Sequence, residues 1–209
     1  MGKIVSGVMT DVAVYLTSHY LLLPAHHGSG LPGCTTTDSL LYLTHKIKDA
    51  WRRKRVVTII FLDIANAFPN AGETGPMFLY LIYNHLLVSI PKGPNQNGGA
   101  YVDDTFFMAI ADTFEECDTI LNGMLDKQEM WSRTHNSNAE VSKFQCLRLT
   151  QKTGLTRTDF KRPTGEIIKC VQVAKLLGVL LDENLQWHPQ PTSAVKKATD
   201  LTLAISRLA

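Results

Sequence analysis

Two adjacent carboxylates, Asp103 and Asp104, stand in the run Gly99-Ala100-Tyr101-Val102-Asp103-Asp104-Thr105-Phe106-Phe107. Val, Tyr, Phe and Thr favour strands, whereas Asp favours turns. The run therefore predicts a tight hairpin with both aspartates at its tip and Phe106 to Ile110 as the returning strand. Like charges at neighbouring positions repel unless something positive lies beside them. Mg²⁺ does this well, because it is a hard cation that takes carboxylate oxygens and leaves positions open for phosphates. The plain alternative is an exposed Asp-Asp turn with no further role. A third carboxylate, Asp63, ends the run Val56-Val57-Thr58-Ile59-Ile60-Phe61-Leu62. Consecutive apolar and β-branched residues predict a strand buried on both faces, which would set the acid at a sheet end facing a cleft. Alone, Asp63 could equally cap the following turn. With the hairpin it supplies the third carboxylate of a two-metal site, which stabilises the attacking and leaving oxygens of an in-line phosphoryl displacement.

The order of these residues resembles a known family. Asp63-Ile64-Ala65-Asn66-Ala67-Phe68 followed by Tyr101-Val102-Asp103-Asp104 looks like the catalytic motif pair of reverse transcriptases. The wider text resembles the enzymes of non-LTR (LINE-type) retrotransposons, especially those of fungi. Supporting stretches are Leu23-Pro24-Ala25-His26-His27, Thr35-Thr36-Thr37-Asp38, His45 to Arg53, Trp131 to Ser137 and Lys175 to Asp182. The likeness covers nearly the whole chain. Tyr-x-Asp-Asp alone is moderately specific; the ordered set is strongly so.

The resemblance implies RNA-directed DNA polymerisation. A primer 3′-hydroxyl would attack the α-phosphate of a deoxynucleoside triphosphate on an RNA template and release pyrophosphate. Asp63 and Asp103 would hold two Mg²⁺ ions, with Mn²⁺ as a possible substitute, and Asp104 would assist. Phe68 would pack under the sugar and clash with a 2′-hydroxyl, and Tyr101 and Val102 would flank the same nucleotide. Lys143 would pair with the triphosphate or protonate departing pyrophosphate. Leu177-Gly178 matches the family's turn that grips the primer end. For these residues the bland readings are a core phenylalanine and a solvated strand lysine.

This sequence also departs from the pattern. Leu31 and Cys34 occupy fingers positions where triphosphate-binding arginines are expected. Only forty positions separate Asp63 from Asp103. The family's Gly-Gln-Gly segment, with its nucleotide-contacting Gln, is not found in that interval, which implies an internal deletion.

Composition sets wide bounds. The 209 residues are 44% hydrophobic, enough for one or two small cores, and the net charge of +2 leans only weakly towards nucleic acid. Cysteines at 34, 117, 146 and 170 form no Cys-x-x-Cys pair. Zinc is therefore not expected, and a reducing intracellular compartment, nuclear or cytoplasmic, is. No signal peptide or membrane span is visible. His26 and His27 lack further ligands nearby and read as solvated or packed.

Along the chain, Ile4 to Leu23 predicts a helix with Val5, Val8, Val12, Leu16 and Tyr20 in a stripe. Thr36 or Thr37 can cap a second helix running to about Lys54, with Leu40, Leu43, Ile47, Ala50 and Trp51 as its apolar face. Arg52-Arg53-Lys54-Arg55 follows. It reads either as favourable charge at a helix C-terminus or as phosphate contact with template or primer. Met77 to Leu87 reads as a helix and Pro91 to Gly99 as a loop. Thr113-Phe114-Glu115-Glu116 is a capping box, opening a helix with Phe114, Cys117, Leu121, Met124, Gln128 and Trp131 on one face. Val141 to Leu149, Ile167 to Val173 and Leu176 to Leu181 read as strands, Asp182-Glu183-Asn184 as a turn, and Thr192 to Leu208 as a helix.

This pattern predicts an α+β fold: an antiparallel sheet with helices on one face. On the resemblance it is a reverse-transcriptase palm over residues 56–191, with partial fingers over 1–55. Residues 192–209 would start towards a thumb that is missing. Two functions follow. One is a polymerase domain working on RNA template, DNA primer and deoxynucleoside triphosphates. The other is a catalytically inactive retrotransposon remnant that at most binds nucleic acid through Arg52, Arg53, Lys54 and Arg55.

Overall fold

Val56–Leu62 (β1) is the buried strand that its composition predicts, and every one of its residues is inaccessible to solvent or nearly so. The computed structural model describes residues 7, 8, 11, 12, 15, 16, 19, 20, 35–62, 87–101, 104–134, 140–187 and 191. Within these, β1 sits inside a four-stranded sheet ordered β2-β3-β1-β4, with Gln96–Tyr101 as β2, Asp104–Ala111 as β3 and Gln145–Leu149 as β4. Every pairing in the sheet is antiparallel. The fold is α+β, as predicted.

Alternation along β1 explains the layers. Side chains of a strand point to opposite faces in turn. Val56, Ile60 and Leu62 join one core with Phe107, Ala109 and the helix Phe114–Thr134, here called α2. Val57, Ile59 and Phe61 join a second core with Phe106, Met108 and the helix Thr36–Arg52, here called α1. The two helices thus cover opposite faces. This corrects the expectation of helices on one face, and the reason is that β1 is apolar on both sides and leaves neither face to solvent.

The helices themselves follow their sequence patterns. In α2, Phe114, Cys117, Leu121, Met124, Gln128 and Trp131 are all buried. Thr113 Oγ1 accepts the Glu116 N–H at 3.2 Å, but Glu116 reaches back to the N–H of Asp112 rather than of Thr113. In α1, Leu43, Ile47 and Ala50 are buried while Leu40 and Trp51 are half-buried. Its cap is Thr35, not Thr36 or Thr37. Thr35 and Asp38 bond each other's backbone N–H reciprocally. The described residues of the first predicted helix, Gly7, Val8, Asp11, Val12, Tyr15, Leu16 and His19, are helical, but its stripe residues Val8, Val12, Leu16 and Tyr20 are exposed. Of the predicted helix Met77 to Leu87 only Leu87 is described, and Thr192 to Leu208 lies outside the described residues. No described helix is long and apolar enough to cross a membrane.

The strands carry the larger corrections. Gln96 to Gly99, predicted as loop, belongs to β2. Glycines are poor strand formers, yet a Cβ on Gly99 would lie 2.8 Å from the Phe106 ring, so the ring takes the place a side chain would fill. Val141 to Lys143 forms a 3₁₀ turn before β4, not the start of a strand. Phe160–Lys161 (β5) pairs with Ile167–Ile168 (β6), and Val173–Leu176 (β7) pairs with Val179–Asp182 (β8), each antiparallel. The predicted strands Ile167 to Val173 and Leu176 to Leu181 are therefore each interrupted.

One buried cation spans these layers. Arg148 of β4 is fully buried. Its guanidinium donates to Asp118 of α2 at 2.9 Å, to Thr58 of β1 at 3.4 Å and to the Thr158 carbonyl at 2.7 Å, and it stacks 4.9 Å from the Phe114 ring centroid. Burial pushes the Asp118 carboxyl up, and the Arg148 hydrogen bond only partly opposes this. Asp118 Oδ1 has no partner, so the carboxylate depends on Arg148. Arg148→Met is expected to lower stability by about 3 kcal/mol, because a largely buried carboxylate and a carbonyl are left unpaired. Arg148→Met with Asp118→Leu should recover much of that loss. Urea unfolding midpoints of the single and double variants check this.

Candidate functional site

The end of β1 and the start of β3 lie side by side. Leu62 pairs with Thr105 across these strands, and Tyr101 pairs with Asp104 across β2 and β3. The predicted hairpin is therefore present, but Asp104 is the first residue of β3 rather than part of the tip. Asp103 and Val102 lie outside the described residues, as do Asp63 and Phe68 and the fingers positions Leu31 and Cys34. Asp104 is exposed, and its Oδ2 accepts the backbone N–H of Leu177 at 3.3 Å.

Leu177 and Gly178 form the two-residue connection between β7 and β8. Both have positive φ, 52° and 80°. Such mirror-image turns match the twist of a hairpin and suit Gly or Asn. A leucine there carries strain of about 1 kcal/mol, which the hydrogen bond to Asp104 helps to offset. Tyr101, Asp104 and Leu177 also meet around a void of about 10 Å³, closed by Tyr42 and Phe106. Three residues named from sequence, Tyr101, Asp104 and Leu177, are thus brought into one cluster, with Gly178 beside them.

Lys143 faces the same place from another direction. It ends the 3₁₀ turn and pairs with Glu140 at 2.6 Å, which holds the Glu140 carboxyl below its usual range. Asp104 and Lys143 line one open cavity of about 630 Å³, together with Leu62, Gln145, Lys169 and Lys175. Lys169 and Lys175 are exposed, and neither has an ion-pair partner among the described residues. Both were missed as site residues. In β7 the alternation of exposed Val173 and Lys175 with buried Ala174 and Leu176 could have flagged Lys175. Lys169 follows a two-residue strand and had no such signal.

The basic run lies elsewhere. Arg52 to Arg55 precede β1, whereas Asp104 neighbours its far end. Six strand steps of about 3.3 Å separate those ends by roughly 20 Å. Arg53 pairs with Asp49 at 2.8 Å, and Arg55 bonds Asn95 at 2.8 Å and reaches Asp112 at 3.6 Å. Arg52, Lys54 and Arg55 line a second cavity of about 560 Å³ with Gln151 and Lys152. Lys54 itself has φ 56°, the left-handed conformation that ends the helix. Helix termination is therefore one job of the run, and an exposed cationic wall is the other.

Among the described residues no three His, Cys, Asp or Glu side chains cluster as a metal site. Asp104 is the one described member of the predicted trio. Its exposed carboxylate on an open cavity has the oxygen chemistry that Mg²⁺ accepts. No protein-family model matches the sequence, and no curated protein matches it significantly.

Asp182 fixes the β7–β8 hairpin from its other end. It is buried and accepts N–H bonds from Trp187 at 2.7 Å, Gln186 at 3.0 Å and Asn184 at 3.3 Å. Burial alone would raise its carboxyl, but these N–H groups outweigh it and hold the group below its ordinary value. A depressed carboxylate contributes stability that is full above the unfolded value, about 4, and lost as pH falls through the folded value. Asp182→Ala should cost about 1–3 kcal/mol at pH 7 and flatten the acid limb of the stability curve. Denaturant titrations from pH 7 down to pH 3 read both effects.

Proposed function

We propose that the chain is a reverse-transcriptase domain of non-LTR retrotransposon type, performing nucleotidyl transfer from deoxynucleoside triphosphates to a DNA primer on an RNA template. Residues 56–191 are then the palm and residues 1–55 part of the fingers. The observation that carries this reading is the pairing of Leu62 with Thr105 beside Tyr101 with Asp104. Asp63 follows Leu62 in the sequence and Asp103 precedes Asp104, so both catalytic motifs adjoin one sheet end.

Charge supports the same reading. Lys143, Lys169 and Lys175 share a cavity with Asp104, as a polyphosphate beside an acidic metal site requires. In this proposal Lys169 and Lys175 bind the β- and γ-phosphates, and Lys143 exchanges Glu140 for the departing pyrophosphate. Leu177-Gly178 holds the primer end near Asp104, to which its turn is already bonded. Two Mg²⁺ ions bound by Asp63, Asp103 and Asp104 would neutralise charge at the transferred phosphoryl. Catalysis is then a matter of positioning and charge, with no covalent intermediate on the protein.

The rate should be low. Leu31 and Cys34 replace the expected arginines, and each lost charge-assisted contact is worth about 1.5–3 kcal/mol. At tenfold per about 1.36 kcal/mol, two such losses imply roughly a hundredfold or more. Primer extension on an RNA template with Mg²⁺ tests the reading. Weak extension is expected, abolished in Asp103→Ala, with Lys169→Ala and Lys175→Ala raising KM for the triphosphate. Extension unchanged by Asp103→Ala would sink the assignment. No extension, but duplex binding that Arg52→Ala and Lys54→Ala weaken, is the result expected of an inactive remnant.

A further inference from the structure

Two free thiols meet at the edge of the main sheet. Cys146 of β4 and Cys170 are partners in an isolated parallel β-bridge. The Cys146 N–H donates to the Lys169 carbonyl at 3.0 Å, and the Val171 N–H donates to the Cys146 carbonyl at 2.8 Å. Asp159 Oδ1 accepts the Cys170 N–H at 2.8 Å and fixes that backbone from a third side. Neighbouring strands lie about 4.8 Å apart, inside the Cα separation of about 4.4–6.8 Å that a disulfide spans. Partners in a bridge also project their side chains to the same face. Cys146 is fully buried, whereas Cys170 is only half-buried.

We propose that Cys146 and Cys170 form a redox modification site that closes to an intramolecular disulfide when the chain meets a low-molecular-weight disulfide such as oxidised glutathione. The chemistry balances. The Cys170 thiolate attacks one sulfur of oxidised glutathione, forming a mixed disulfide and releasing one glutathione thiolate. Cys146 then gives up its proton and attacks the Cys170 sulfur, releasing the second glutathione thiolate. Two protein thiols are oxidised, one external disulfide is reduced, and the two thiol protons pass to the released thiolates.

The surroundings assign the roles. Cys170 is the more accessible of the two sulfurs, and the neighbouring Cys146 thiol lowers it to about 7, aided by the charge of Arg148 and opposed by burial. The proximity of Cys170, with burial, pushes Cys146 up. Cys170 is thus the attacking thiol and Cys146 the resolving one. Cys117 is buried, with its thiol pushed up to about 11 by that burial, and takes no part. The disulfide would staple the segment bearing Lys169 to β4 beside Gln145, two residues that line the large cavity. The redox site itself does not depend on the polymerase reading.

Incubation of the reduced full chain in glutathione redox buffer at pH 7, followed by non-reducing peptide mapping, tests this. The expected product is a monomer with a Cys146–Cys170 link, retained in Cys117→Ser and Cys34→Ser and lost in Cys170→Ser. A second readout needs no variant: iodoacetamide should alkylate Cys170 at least about tenfold faster than Cys117 in the native chain, because thiolate fraction and exposure set the rate. A stable glutathione adduct at Cys170 without the link, links through Cys34 or Cys117 instead, or equal alkylation of Cys170 and Cys117 would each overturn the proposal.

Discussion

A buried guanidinium decides where the second half of the chain goes. Burying a charge costs several kcal/mol unless hydrogen bonds replace water, and Arg148 finds them on β1, on α2 and on the carbonyl of Thr158. Three separate segments must therefore converge on one side chain. From Arg148 the constraint runs outward. Its carbonyl accepts from Arg157 Nε at 3.2 Å, and Arg157 pairs with Glu183 at 3.2 Å just past β8. The small hairpins that follow the sheet are placed by this relay. Arg162 repeats the device on a smaller scale, joining β5–β6 to Asp126 and Glu129 of α2 at 2.9 and 3.3 Å.

The relay adds to what the second core supplies to β7–β8 through Ala174, Leu176 and Leu181. Its strands are four residues each, and its turn holds a leucine in a conformation that leucine avoids. Asp182 gathers N–H groups at one end, and Asp104 takes one at the other. Such strain persists only where the surroundings over-determine it. Here they do, and the result is a turn held against the carboxylate that begins β3.

The sheet has two charged ends with different character. At the Arg52–Arg55 end, two of the four cations are tied to Asp49, Asn95 and Asp112. At the Asp104 end, Lys169 and Lys175 have no carboxylate partner among the described residues, and they face an open cavity rather than a helix terminus. Unpaired cations around a cavity favour an anionic ligand more specifically than a basic run at a helix end, where the helix dipole already accounts for part of the charge.

Periodicity alone determined much of this. Seven consecutive apolar or β-branched residues had to be a buried strand, and steps of three and four residues had to make α2 pack with Phe114, Leu121 and Trp131 inward. The Tyr101–Asp104 hairpin was equally legible, because turn chemistry is local. Tertiary structure decided what local signals cannot carry. Which face each helix covers depends on β1 being apolar on both sides and on its pairing partners. Gln96 to Gly99 became a strand only because β3 offers an edge and the Phe106 ring fills the space at Gly99. Lys169 and Lys175 joined Asp104 and Lys143 only through the fold, since alternation in β7 marks Lys175 as outward-facing but not what it faces, and Lys169 has no local signal at all. Propensity belongs to a residue and its near neighbours, whereas a site is made by backbone segments that the buried Arg148 and the sheet register bring together.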